Sequence, residues 1–344
     1  MKNLGTYPGG VKTLGGGGSV PNSMRFLDGA AVQSGGARLE SELEKKDPIL
    51  KEPLTSVTYT RDIPITTGGG WVDTISAMYV QYGVLDGSNE GLAASSGATE
   101  SAIIQANVAD QRWGAHIFDI TMRVDAIDQL RGKLTGRNIE DMYREGIRLS
   151  YDKHNEMNSY LGMKRFGTCG LMNSPDVPAR MVQVGSGGGT RFIGKDPDEI
   201  LFDINDAIVT NWNRAENDLS ALPNHILMPH EQLNYIIMAK VSHSADKSIL
   251  TYIEENNLVT KQQGGNLFIG GTNFCKGIGT GGTDRMVVYS HNKRFLKMEE
   301  LVSLYRLGGT VYNADKKSYD SRFVANISQL QLLYLETIGY YDGI

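Results

Sequence analysis

Hydrophobic positions change period several times along this chain, and each change marks an element. Val57, Tyr59, Arg61, Ile63 and Ile65 alternate with other residues, with Arg61 as the single polar break, which predicts a strand over 57–65. A second extended stretch at 71–85 carries Ile75, Met78, Tyr79, Val80 and Tyr82. Residues 86–101 then hold almost no apolar side chains and are rich in Gly, Ser and Ala. Beyond them Phe118, Ile120, Met122 and Val124 alternate with Asp119, Thr121 and Arg123. Two strands around a polar connection predict a hairpin with a long tip. A connection of this length inside a compact domain is uncommon unless it contacts something.

The period then becomes helical. Ile139, Met142, Tyr143, Ile147, Tyr151, His154, Met157 and Leu161 follow three-and-four spacing. Asn138 stands where an N-cap is needed, Glu140 and Asp141 suit the positive end of the dipole, and Gly162 is a stop. At 1.5 Å per residue this helix runs roughly 35 Å. Its predicted exposed face carries Arg144, Glu145, Arg148, Asp152, Lys153 and Glu156. A second helix is signalled by Asp196-Pro197-Asp198-Glu199, a cap, a first-turn proline and a capping-box acid, followed by the stripe Ile200, Ile204, Ile208 and Trp212. Short strands at 226–228, 267–269 and 286–289 alternate with helices at 231–240 and around Ile249, Leu250 and Ile253, so residues 190–300 read as a mixed α/β unit. After Leu301 strand character returns, ending in Leu330, Leu332, Leu333, Tyr334, Leu335 and Ile338.

Composition changes the picture at the N-terminus. The chain has 344 residues, of which 41 are glycine, about 12% against an average near 7%. Glycine clusters break up residues 1–37, and glycine loses the most backbone entropy on ordering, so this segment does not fold alone. Val32, Leu39, Leu43, Ile49, Leu50 and Leu54 then recur as if to dock, which suits an arm ordered on a neighbouring subunit. A net charge of -5 argues against a protein built chiefly to grip nucleic acid. No stretch approaches the ~20 apolar residues of a membrane-spanning helix, and the opening residues lack the apolar run of a signal peptide. Cys169 and Cys275 are far apart and are read as reduced thiols.

Candidate chemistry is sparse. Gly277-Ile278-Gly279-Thr280-Gly281-Gly282 has dinucleotide-fingerprint spacing, but the following Asp284–Tyr289 residues read as a strand where a helix is required. The six histidines form no HxH or HExxH pattern, and neither a P-loop nor a GxSxG elbow is present. Glu254-Glu255 and Glu299-Glu300 read as solvated charges. No catalytic, cofactor-binding or metal residue is nominated.

The order of elements resembles the Hong Kong 97-type fold of tailed-phage major capsid proteins. The helix end Asn158-Ser159-Tyr160-Leu161-Gly162 runs into Gly170-Leu171-Met172-Asn173-Ser174-Pro175-Asp176-Val177-Pro178, similar to a loop in that family. Gly194-Lys195-Asp196-Pro197-Asp198-Glu199-Ile200-Leu201 resembles its next helix start, and Tyr341-Asp342-Gly343-Ile344 its usual ending. The resemblance implies an α+β fold with an N-terminal arm at 1–58 and an E-loop hairpin with P-domain strands at 59–125. It further implies a P domain with the spine helix 139–161 at 126–190, an α/β A domain at 191–300, and strands returning to the P domain at 301–344. It implies a non-enzymatic subunit, without cofactor, that forms the hexamers and pentamers of an icosahedral virion shell around phage DNA, assembled in the bacterial cytoplasm. Portal, scaffold and decoration proteins are implied partners, with double-stranded DNA held by weak non-specific contact and no membrane. Gly87, Asn89, Glu90, Leu92 and Gly97 at the hairpin tip, with Leu39 and Leu43 of the arm, are the expected inter-subunit contacts. An encapsulin-like nanocompartment shell and a cytoplasmic α/β enzyme remain the alternatives.

Overall fold

The computed structural model describes residues 57–84, 104–135, 138–242 and 246–344. The expected arm, with Leu39 and Leu43, and the hairpin tip, with Gly87, Asn89, Glu90, Leu92 and Gly97, lie outside the described residues. Residues 58–344 form one compact unit.

The first element is a short helix, α1 (Tyr59–Asp62), where alternation predicts a strand. The apolar spacing that suits a strand also places Tyr59 and Ile63 four apart on one helical side, and tertiary contacts decide between them. Tyr59 and Ile63 are buried, and Asp62 is drawn wholly inside. Tyr160 donates its hydroxyl to the Asp62 carboxylate at 2.5 Å, and Tyr289 donates to the Asp62 carbonyl at 2.6 Å. Only after this anchor does strand β1 (Ile65–Thr67) begin.

Strand β2 (Thr74–Val84) forms a hairpin with β3 (Ile104–Asp125), but its partner is residues 104–114 and not the alternating stretch 118–124, which pairs with a later strand. Then follow α2 (Ala126–Thr135) and the long helix α3 (Ile139–Tyr160). The Asn138 side chain accepts from the Asp141 N–H, as a cap should, and Gly162 turns the chain with φ +71°. The predicted exposed face of α3 is corrected at three positions: Asp152 and Lys153 are half-buried and Glu156 is buried. Glu156 is buried because its carboxylate accepts both the Thr58 N–H and the Thr58 hydroxyl, each at 3.1 Å.

The remaining elements are β4 (Ala179–Met181), α4 (Pro197–Arg214), β5 (His225–Met228), α5 (His230–Met238), α6 (Ile249–Glu255), α7 (Leu258–Gln262), β6 (Phe268–Gly271) and β7 (Arg285–Tyr289). They are followed by β8 (Leu296–Asn313), β9 (Ser318–Ser328), β10 (Gln331–Leu332) and β11 (Ile338–Asp342). The predicted capping box opens α4, with the Glu199 carboxylate accepting the Asp196 N–H.

Two sheets organise these elements. The first runs β1-β8-β9-β3-β2, with β10 beside β8. The even-numbered side chains of β3 from 116 to 124 turn towards α3, and Met122, Val124, Ile147 and Phe323 form a small core there. The second runs β4-β11-β7-β5-β6. One of its faces packs Ile226, Met228, Met286 and Val288 against Ile200, Ile204, Ile208, Ile236 and Ile253 of the helices. All five residues of β7 are buried, including the apolar run Met286–Tyr289 that predicts it: both sheet faces are covered. The tail after Leu301 does not return as one piece. β8 and β9 join the first sheet, but β11 inserts between β7 and β4 of the second, antiparallel to one and parallel to the other.

Candidate functional site

The register of β3 shows how the fold projects a surface. Residues 104–114 pair with β2 alone, and residues 115–125 pair with β9 alone. One continuous strand therefore belongs to the sheet along half its length and to a two-stranded ribbon along the other half. At 3.3 Å per residue such a strand spans roughly 70 Å.

The ribbon has two unlike faces, since paired antiparallel residues point the same way. Ile75, Tyr79 and Trp113 share the face that meets the body. Trp113 is buried, and Tyr79 donates its hydroxyl to the Leu333 carbonyl at 2.8 Å while its ring meets Tyr334 edge-on. The opposite face carries Met78, Val80 and Tyr82 on β2, with Val108 across from Val80, Ile104 across from Val84, and Asp110 across from Met78 on β3. The five apolar side chains are 77, 48, 70, 63 and 68% exposed in the order Met78, Val80, Tyr82, Val108, Ile104. β2 contains no charged residue and no proline, the usual means of blunting an outer strand. A contiguous apolar patch of this kind marks an interaction site in a folded protein.

Sequence reading locates the hairpin but misses this face. The signal was the alternation of Met78, Val80 and Tyr82, which fixes that they share a side but not that nothing of the same chain covers it. The nominated contacts at the tip and in the arm are not among the described residues, so the structure brings none of them together.

The residues behind the family resemblance are clasps that hold the fold. Gly170 sits against the Tyr160–Leu161 backbone, where any Cβ would overlap it. Asn173 accepts the Gly170 N–H and donates to the Leu161 carbonyl, both at 2.8 Å, tying the loop to the end of α3. Tyr340 of β11 donates to the Leu171 carbonyl and accepts the Ser174 N–H. At the chain end, buried Asp342 pairs with Arg285 at 2.6 and 2.9 Å and accepts the Thr280 N–H and hydroxyl, each at 2.8 Å. Burial pushes the Asp342 carboxyl up, but the Arg285 guanidinium and the two Thr280 donors outweigh it and hold it below the usual carboxylate range. Gly343 adopts φ +92°, with Met181 at 2.9 Å from where a Cβ would stand, and Ile344 is buried in the core of the second sheet. The fingerprint-like segment 277–282 is thus a turn that clasps Asp342, and strand β7 follows it.

Elsewhere, Glu300 is half-buried and accepts the Tyr151 hydroxyl at 2.7 Å, which corrects its reading as a solvated charge. Glu254 and Glu255 are exposed. Cys275 is buried, and burial pushes its thiol well above the ordinary value; Cys169 is half-buried, and both thiols are free. Among the described residues no group of three or more His, Cys, Asp and Glu side chains could hold a metal ion, and no helix is long and apolar enough to cross a membrane.

Comparison with known proteins agrees with this architecture. The capsid of the Myoviridae phage XM1 superposes with a TM-score of 0.72 at 17% identity, covering 90% of this chain and all of that one. The capsid of a native GTA particle gives a TM-score of 0.60 at 10% identity, covering 92% and 99% of the two chains. A chain of Microbacterium phage Oxtober96 gives 0.55 at 11% identity, over 87% and 94%. These likenesses show the Hong Kong 97-type fold. No curated protein matches in sequence. The model of the family described as major capsid protein matches residues 92–344, most of the chain from the ribbon to the buried Ile344. The chain belongs to the major capsid protein family.

Proposed function

We propose that this chain is the repeating subunit of an icosahedral shell around phage DNA, built as hexamers and pentamers, with the ribbon as its reach from one copy to the next. The observation that carries this reading is the exposed face of the ribbon, where Met78, Val80, Tyr82, Val108 and Ile104 form an apolar patch beside the Asp110–Arg112 ion pair, with no partner among the described residues of its own chain. A shell subunit buries modest patches against several neighbours, and projecting ribbons and arms suit that geometry. In this reading the parts are an arm at 1–58, the E-loop hairpin within 59–125, the P domain within 126–190 around α3, the A domain at 191–300, and the return at 301–344, whose last strand crosses into the second sheet. Gly87, Asn89, Glu90, Leu92 and Gly97, with Leu39 and Leu43, extend the inter-subunit contact. The role is structural, with portal, scaffold and decoration proteins as further partners, assembly in the host cytoplasm, and the virion as destination. The family match favours the phage shell over a nanocompartment or an α/β enzyme.

Negative-stain microscopy of the purified full-length chain, with scaffold co-expressed, tests this. Closed shells or ring-shaped capsomers are expected. A monodisperse monomer across salt and concentration overturns the reading.

A further inference from the structure

One polar contact joins the inward face of β3 to α3. His116, opposite Ile327 in the β3–β9 register, and His154 of α3 face each other with their Nε2 atoms 3.0 Å apart. At that distance one neutral ring donates and the other accepts, since two N–H groups or two bare lone pairs would repel. The rings meet edge-on with centroids 5.2 Å apart. Phe166 stacks on His116, and Phe118 lies edge-on to His154.

The charged surroundings give the pair no anion to lean on. On α3, Tyr151 donates to Glu300 of β8, and Asp152 is pushed up by burial. Lys153 stands next in sequence to His154 and is half-buried. From the turn after α3, the Arg165 guanidinium lies 5.9 Å over the Phe166 ring. On β3, Asp119 belongs to the opposite face and pairs with Arg322 of β9. The β9 residues across from His116 and Ile117 are Ile327 and Asn326, both uncharged. Neither imidazole has a carboxylate hydrogen-bond partner among the described residues.

We propose that the His116–His154 pair is an acid-sensitive latch between α3 and the strand that carries the ribbon. It stays closed while the rings share one Nε2–H or one added proton, and opens when both rings are charged. The second proton replaces a donor–acceptor contact with two facing donors that carry like charge. Burial, joined by the charge of His116, brings His154 down to about 4, and burial brings His116 below the usual histidine value. The two rings titrate as a unit. Because both are depressed, the latch contributes fully above the free histidine value of about 6.5 and is lost as pH falls towards the folded value. The core of Met122, Val124, Ile147 and Phe323 contains no titrating group, so opening loosens the root of the ribbon without melting the sheet. Its consequence for shells rests on the ribbon bridging copies; the latch itself does not.

Trp113 makes the test direct, being 5% exposed and three residues before His116 on β3. Full-length unassembled protein carrying Trp71→Phe and Trp212→Phe leaves Trp113 as sole reporter, and its acrylamide quenching is followed from pH 7.5 to pH 4. The parent should show Trp113 becoming accessible in a transition between roughly pH 6.5 and 4. His154→Phe keeps an edge-on ring without the proton, and the double change His116→Gln with His154→Gln keeps a neutral hydrogen bond. Each should abolish the transition or move its midpoint by more than one pH unit, whereas His225→Phe should leave it in place. Equal midpoints in the parent and in whichever of the two latch variants has native circular dichroism at pH 7.5 overturn the proposal. So does a transition lost equally in His225→Phe. Because unassembled protein is used, failure here leaves the shell reading standing.

Discussion

At the residue scale, most of the polar side chains that matter are fixings for the fold. Asp342 and Arg285 form a nearly dry pair whose carboxylate is also held by Thr280. Removing one member leaves the other buried and unpaired, which costs about 3–5 kcal/mol. Asp342→Ala should therefore lower the unfolding free energy by an amount in that range, measured by equilibrium denaturant unfolding of the unassembled protein. A second residue-scale effect concerns His225 and His291, stacked with centroids 4.3 Å apart. Burial and the nearby His291 charge bring His225 to about 4, and burial lowers His291. A depressed histidine stabilises the fold above its unfolded value and stops doing so as pH falls, because the unfolded chain then binds more protons. The His225 contribution should drop by roughly 1–2 kcal/mol between pH 7 and pH 5, with His291 adding in the same direction. His225→Phe should flatten that slope in urea titrations run at the two pH values, and an unchanged slope would refute the assignment.

At the element scale, the ribbon separates assembly from folding. Met78 and Tyr82 are more than two-thirds exposed, so Met78→Ser with Tyr82→Ser removes little apolar burial from the free subunit. Surface changes of this kind usually move stability by within ~0.5 kcal/mol. We expect a near-parental melting temperature together with a sharp fall in closed particles, counted by sedimentation. Tyr79→Phe is the contrasting change, since it deletes the hydroxyl that ties the ribbon to Leu333. It should cost about 1 kcal/mol of stability. Replacing 88–96 with a short Gly-Ser link should also spare the melting temperature and reduce particle yield. Shortening a loop alters closure entropy by only ~0.6 kcal/mol per twofold change in length. Normal particle yield in both ribbon variants would remove the ribbon from the assembly contact.

At the scale of the whole molecule, net charge sets the relation to DNA. A chain at -5 presents no excess of positive charge, so contact with packaged DNA depends on scattered Lys and Arg. Filter binding should show weak association without sequence preference that falls steeply with added salt. Tight, sequence-selective binding at physiological salt would contradict the container role.

What the sequence determined by itself was local. The cap Asn138, the capping box at Asp196 and Glu199, and the stop at Gly162 place α3 and α4 within a residue or two, because helix ends are set by groups within one turn. The alternation from Phe118 to Val124 marked the two faces of the sheet half of β3 for the same reason, but not the half at 104–114 that pairs with β2. Tertiary structure decided the rest. Residues 57–65 satisfy both periods, and the helix won because Asp62 is gripped by Tyr160, a residue 98 positions away. Glu156 left the solvent face for Thr58, and β11 left the first sheet for the second, through contacts no local window contains. The ribbon face was legible as a strand and illegible as a surface. Exposure is a statement about what does not pack on Met78, Val80 and Tyr82, and only the whole fold can say that.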